Sequence, residues 1–411
     1  MEKPIHVLHV LGGVSLGGAE SRIMDLYRQM NREEIQFDFL VHSAAVRTGF
    51  REALQTCADK GNQNGKGDER VRKQEFYDEE IHAMGGHIYV LPKFKVYNYF
   101  VYRKAVKAFF EAHREFRVVQ GHMTSTAGIY LPMAKKAGVP VTVAHARNAG
   151  VVKGPKGLAT RFFRRGLVKK SDYCFACSHL AGQDVFGEAA MKAGQVKVIY
   201  NAIDVGRFTY DEKVRQEARA RLGIREELVL GHVGRFQYQK NHPYLLEVFA
   251  AVCKRRPDAR LLLLGEGEDR PVMEEKCRQL GVDDRVHFLG NRRDAERFYQ
   301  AMDFFLLPSF FEGLPGVLVE AQAAGLRCIV SDTVTKEAQA TDLVTYLSIE
   351  EEPARWAEEI LKQADYARRD TAQELREAGF DVRTQAEGYR RFYLGGGQRI
   401  HECQKWSERI I

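Results

Sequence analysis

No segment of the 411-residue chain approaches the ~18 consecutive apolar residues that a membrane-spanning helix needs. The start, Met1-Glu2-Lys3-Pro4, has no positive stretch followed by a long apolar one, so no secretory leader is read there. Cysteine is sparse: seven residues, an odd number, scattered along the chain, which predicts a reduced, cytoplasmic protein. Cys174 and Cys177 have CxxC spacing but sit in an apolar, strand-like run with no second pair. They are read as small core residues rather than zinc ligands. The full G-x-G-x-x-G is missing, because Gly265-Glu266-Gly267 is followed by Arg270 where a third glycine would stand. That argues against a dinucleotide oxidoreductase. Asp-x-Asp is also absent, so no divalent metal and no cofactor are expected. Basic charge comes without any base-stacking platform or binding motif, so nucleic acid is not an expected partner.

What is present is globular: 45% hydrophobic and 28% charged residues, with a net charge of +7. Apolar, strand-like runs alternate with amphipathic helical patterns almost from end to end. Strands are predicted at 5–10, 37–42, 86–91, 118–122, 141–145, 172–178 and 196–201. A second series, 228–234, 259–265, 285–290, 303–308 and 327–331, follows. Helices are predicted between them, at 19–30, 99–113, 126–137, 243–256, 269–280, 294–301 and 317–324, then at 353–363 and 386–393. Two consecutive βα series predict an α/β chain of two doubly wound parallel-sheet domains, facing across a cleft that is the natural ligand site. The first domain is expected over 1–203 and the second over 204–378, with a polar join around 203–222. A helix at 379–394 is expected to pack back on the first domain, ahead of a polar tail at 395–411. The stretch 43–75 cannot bury a core, so it reads as a flexible surface insertion, with a lid or membrane-facing arm as the functional alternative.

The richest stretch is 309–321. Glu312 and Glu320 stand eight positions apart across Gly313-Leu314-Pro315-Gly316. Pro315 suits the first position of a helix, whose free N–H groups would face whatever anion sits in the loop. The second candidate is Gly234-Arg235-Phe236-Gln237-Tyr238-Gln239-Lys240-Asn241, at another strand's carboxyl end. Two cations there would bind a diphosphate and stabilise the charge that develops as it leaves. The plainer reading is a pair of surface cations flanking a turn. Gly265 marks a further βα turn, and Phe288-Leu289-Gly290 could offer backbone groups to a base edge.

At these residues the chain resembles a retaining glycosyltransferase of family 4, with two Rossmann-like domains (the GT-B fold). The resemblance covers nearly everything outside 43–74 and the tail. It rests on the E-x7-E of Glu312 and Glu320, on Gly234-Arg-Phe with Lys240-Asn241, on Val198-Ile-Tyr-Asn-Ala-Ile-Asp204, and on Gly12-Gly-x4-Gly-Gly-Ala-Glu20. Phe76-Tyr-Asp-Glu-Glu80 and Phe175-Ala-Cys-Ser178 are most similar to the capsular or exopolysaccharide branch. Ala202 stands where that branch more often has glycine, a change tolerated if φ is negative there. The resemblance implies that Arg235 and Lys240 hold a donor diphosphate and that Glu312 touches donor-sugar hydroxyls. It also implies that the amides of 313–316 meet phosphate, that Glu320 binds the ribose, and that the Gly17-Gly18 loop approaches the donor. A UDP-linked donor is favoured.

The same resemblance places His122, at a strand end, opposite the reacting sugar, although a histidine there is otherwise a satisfied structural residue. His145, Arg147 and Asn148 become acceptor-side candidates. Residues 153–170 form a basic amphipathic helix with Leu158, Phe162, Phe163, Leu167 and Val168 interleaved among cations. The alternatives are an anionic membrane carrying a lipid-linked acceptor, at the inner face of the cytoplasmic membrane, and a solvated helix face. The expected reaction is metal-independent transfer of a sugar to a glycan or lipid-linked hydroxyl with retained anomeric configuration. Front-face attack is favoured over double displacement through Glu312. A nucleotide-sugar 2-epimerase and a non-catalytic nucleotide-sugar-binding protein remain alternatives; a pyridoxal-dependent phosphorylase has no supporting motif.

Overall fold

The structure, a computed structural model, describes residues 3–44, 72–147 and 155–396. Most of the expected insertion (45–71), Asn148, the start of the basic segment (153–154) and nearly all of the tail (397–411) lie outside the described residues. The chain divides into two units: Met1–Asn201 with Arg383–Ile411, and Ala202–Val382.

The first unit is built on seven strands: β1 (Ile5–Val10), β2 (Ile35–Ser43), β3 (Ile88–Pro92), β4 (Phe116–Gly121), β5 (Val141–Ala146), β6 (Tyr173–Ala176) and β7 (Val196–Val198). They pair in the order β3-β2-β1-β4-β5-β6-β7, and every described pairing is parallel. Helices cover both faces of such a sheet, so its strands read as near-continuous apolar runs, as Val118-Val119 and Val141–Ala146 do. The strand order reverses between β1 and β4, which leaves a crevice beyond their carboxyl ends. The helix Val382–Leu394 closes this unit. Arg390 makes a two-pronged pair with Glu34 at 2.7 Å on each arm, and the Tyr393 hydroxyl donates to Gln120 Oε1 at 2.6 Å.

The second unit has six parallel strands, β8 (Val229–Val233), β9 (Arg260–Leu264), β10 (Val286–Gly290), β11 (Phe304–Leu307), β12 (Arg327–Ser331) and β13 (Val344–Leu347), in the order β10-β9-β8-β11-β12-β13. Its reversal lies between β8 and β11. Their outgoing loops are Gly234–Asn241 and Ser309–Pro315, the two stretches singled out from sequence. The two ends of the unit pair, Ile203 bridging Asp381.

The supposed polar join corrects to folded structure. Helices Val205–Phe208 and Glu212–Arg221 occupy it. Asp211 caps the second through Val214 N at 3.0 Å, and Arg215 reaches Asp303 at 2.6 Å. Its cations tie the helix to the start of β11 instead of marking a linker. Helix Ala372–Glu377 and strand β13 were not anticipated. Asn241 is the single described non-glycine residue with a positive φ, 52°, so Ala202 sits without backbone strain. Cys174 and Cys177 are buried and neither is in a disulfide.

Candidate active site

In the second unit the two switch-point loops are laced together. Lys240 Nζ lies 2.7 Å from Glu312 Oε1, with side chains 13% and 9% exposed. Gln239 Nε2 donates to Glu312 Oε2 at 3.2 Å and to the Phe311 carbonyl at 2.8 Å. Phe310 N donates to the Gln239 carbonyl at 2.9 Å, and the Tyr238 and Phe310 rings stack at 4.7 Å. Asn241, in the left-handed region, turns the first loop into the helix His242–Cys253. Lys240 faces Glu312, while Arg235 is exposed.

Helix Gly316–Ala323 takes Pro315 as its cap and not as its first helical residue. Pro315, at φ −74° and ψ 100°, stands just outside it in extended geometry, and the Leu318 amide donates to its carbonyl at 3.0 Å. Gly313, Leu314 and Gly316 thus precede or begin the helix, with their amides at its positive end. Glu320 is buried in the second turn and accepts from the Tyr299 hydroxyl at 2.8 Å.

Gly265 ends β9 with φ 137°, and a Cβ there would lie 2.1 Å from the Gly234 carbonyl oxygen. Only glycine lets these neighbouring strand ends meet. Phe288 and Leu289, on β10, are partly exposed. The Phe288 ring lies 5.8 Å from Phe236 and carries the Arg270 guanidinium at 5.5 Å. Beneath Lys240, burial first and the nearby cation second drive the His232 imidazole down to about 3. His242 falls to about 2, through burial and then His232 and Lys240. Both rings are therefore neutral, and they leave Lys240 as the local positive charge.

In the first unit, β1 and β4 bring a buried polar chain to their carboxyl ends. Arg147 Nε donates to His122 Nδ1 at 3.2 Å, and His122 Nε2 lies 3.0 Å from His9 Nδ1. A guanidinium only donates, so His122 carries its proton on Nε2 and donates it in a hydrogen bond to His9 Nδ1, and the His9 proton is on Nε2. Arg147 also donates to Asn201 Oδ1 at 2.6 Å. Gln120 Nε2 meets His145 Nδ1 at 2.9 Å. Burial, followed by the Arg147 charge, lowers all three imidazoles: His9 to about 3, and His122 and His145 well below the ordinary range.

Two expectations change here. Both ring nitrogens of His122 are engaged, so neither is open to a sugar hydroxyl in this arrangement. His145 is fully buried and presents no surface to an acceptor. Arg147 is buried with its guanidinium on neutral partners, and Asn148 lies outside the described residues. Gly17 caps helix Gly18–Gln29 at an ordinary extended φ of −151°. A Cβ on Gly18 would meet nothing within 4 Å, so the chain's own packing does not require glycine at that position. His9, Gln239, Tyr299 and Gln120 escaped the sequence reading. A histidine inside an otherwise apolar strand such as β1 was the one signal that could have found His9.

The family model for group 1 glycosyl transferases matches residues 227–365, and that for glycosyltransferase family 4 matches residues 16–207. The glycosyltransferase EpsF of Bacillus subtilis is 34% identical over 363 residues, 87% of each chain. The Escherichia coli UDP-Gal:alpha-D-GlcNAc-diphosphoundecaprenol alpha-1,3-galactosyltransferase is 27% identical over 53% of this chain and 58% of its own. Among solved structures, Anabaena HepE in complex with UDP and glucose superposes with a TM-score of 0.66 at 17% identity, covering 97% of this chain and 98% of that one. That likeness shows a common GT-B fold.

Proposed function

The chain belongs to the family 4 glycosyltransferases, and on that premise we propose that it moves a sugar from a nucleoside-diphosphate donor, UDP-linked, to a hydroxyl of a glycan or lipid-linked glycan in surface polysaccharide synthesis. The observation that carries this reading is the Lys240–Glu312 pair, 2.7 Å apart at the strand reversal of the second unit, beside the open start of helix Gly316–Ala323. It offers a cation and free amides to a diphosphate and a carboxylate to sugar hydroxyls. The UDP in the HepE complex and the UDP-galactose used by the E. coli relative support a uridine donor. The same relative's diphosphoundecaprenol-linked substrate supports a lipid-linked acceptor.

In the proposed reaction the bond from the anomeric carbon to the phosphate oxygen breaks as the acceptor oxygen bonds to the same face of that carbon. The acceptor's proton goes to the departing diphosphate, and configuration is retained. Glu312 is held by Lys240 on one oxygen and by Gln239 on the other, which lowers its nucleophilicity and favours front-face attack over a covalent Glu312 intermediate, while its remaining lone pairs stay open to sugar hydroxyls. Lys240, Arg235 and the amides of 313–316 take up the charge of the leaving group, and the reading needs no divalent ion. Glu320, held by the Tyr299 hydroxyl, is assigned to the ribose. Arg147, fixed by His122 and Asn201, supplies the acceptor-side cation. A screen of nucleotide sugars for slow release of the free nucleotide tests this reading without knowledge of the acceptor. One donor class is expected to be hydrolysed, and release from none of them by folded protein overturns the reading.

A further inference from the structure

Six of the eleven large hydrophobic residues that stand exposed among the described residues fall in two short stretches, Val96, Tyr97, Phe100 and Val101, and Leu158 and Phe162. The outermost are 82% (Tyr97), 79% (Phe100), 72% (Leu158) and 68% (Phe162) exposed. Although nearly sixty residues apart in sequence, the stretches are neighbours. Ring contacts run from Phe100 to Tyr99 at 5.3 Å, Tyr99 to Phe163 at 6.0 Å, and Phe163 to Phe162 at 5.4 Å. Phe163 also packs edge-on to Phe94 at 5.2 Å. The inner aromatics glue helix Tyr99–Ala112 to helix Pro155–Arg164, and the outer ones face water.

The rim is cationic. No Asp or Glu occurs from Ile81 to Phe110 or from Phe116 to Ser171, while Lys95, Arg103, Lys104, Arg161, Arg165 and Lys169 are all exposed. A contiguous aromatic patch ringed by unopposed cations on a chain of this size marks an interaction surface. Aromatic side chains at headgroup depth with Lys and Arg around them match an anionic bilayer. A nucleic acid would use the cations and the rings but would leave the outward aliphatic side chains of Val96, Val101 and Leu158 in water.

We infer that this two-helix face, formed by 95–104 with 158–169, seats the first unit on an anionic lipid surface. This deepens the lipid-linked acceptor reading and adds a second helix to the basic segment recognised from sequence. Vesicle sedimentation of the full chain tests it, using phosphatidylcholine alone and phosphatidylcholine mixed with phosphatidylglycerol, without donor or acceptor. The mixed vesicles are expected to bind at least ~10-fold more tightly, with the difference shrinking at high salt. Phe100→Ser with Phe162→Ser should lower binding by at least ~10-fold, and Arg103→Gln with Arg161→Gln by about fivefold per charge, each with an unchanged melting temperature. Equal binding to both vesicle types, no binding, or indifference to both variant pairs overturns the inference. So does a concentration-dependent dimer, lost in the Phe100/Phe162 variant, without lipid binding; that result would assign the patch to a second copy. Because no transfer is measured, such a failure leaves the glycosyltransferase reading standing.

Discussion

Replacing Lys240 with alanine removes the charge on which the second unit's loops converge. Its ammonium sits 2.7 Å from Glu312 Oε1, in surroundings that leave about a tenth of each side chain exposed. Two effects follow and have to be separated. Glu312 loses its cation and keeps only the Gln239 amide, 3.2 Å from its other oxygen. Breaking a buried ion pair from one side costs about 3–5 kcal/mol, and the surviving Gln239 bond puts this case at the low end. Removing a fixed donor from the departing phosphate should also cut turnover by roughly 10²–10³. The double variant Lys240→Ala with Glu312→Ala removes the stranded carboxylate, so it should regain ~1–3 kcal/mol relative to the sum of the single changes while turnover stays low. The assay is initial-rate nucleotide release at saturating donor, with a urea midpoint for each variant. Turnover of Lys240→Ala within a fewfold of wild type refutes the role given to this charge. Turnover that returns together with stability in the double variant shows that the ion pair was only structural.

Two further outcomes are expected. Gly265→Ala puts a Cβ 2.1 Å from the Gly234 carbonyl oxygen at a φ of 137°; it should cost at least about 2–3 kcal/mol and weaken donor binding by displacing the Gly234 loop, and an unchanged denaturation midpoint would contradict that. Acid should destabilise the first unit well before its carboxylates protonate. His9 and His42, lowered by burial to about 3 and about 4, and His122 and His145, held by burial well below the ordinary imidazole range, are neutral when folded. Each titrates near ~6.5 when unfolded. The unfolded chain thus binds more protons below that pH, so stability is complete above ~6.5 and falls as pH drops towards the folded values, by up to about 1.4 kcal/mol per pH unit for each ring. Urea midpoints at neutral and mildly acid pH check this, and a flat or rising profile on acidification would contradict it.

Most of the strands were legible because parallel strands buried on both faces are apolar throughout, and Arg327–Ser331 has the bounds read from sequence. β13 was not, because only its first residue is buried and Val-Thr-Tyr-Leu reads as half-polar. The helix Glu212–Arg221 reads in sequence as a polar join because its partners are charges: Arg215 and Arg219 reach Asp303, far along the chain, and a hydrophobic period does not report them. The Glu312 and Lys240 loops were visible as motifs, but their direct pairing was not, since spacing says nothing about which loops a strand reversal brings together. His122 shows the opposite limit. Its position at a strand end was legible, whereas its engagement by His9 and Arg147 depends on β1 lying beside β4.

The central claim is that the second unit holds a sugar nucleotide through Lys240, Glu312 and the start of the helix that follows. Isothermal titration of UDP-, GDP- and ADP-linked sugars into the folded chain tests it most directly. Saturable one-to-one uptake of one donor class, displaced by the matching free diphosphate and weakened at least ~10-fold by Glu312→Ala, is the expected result. No uptake of any of them, or uptake indifferent to that change, would contradict it.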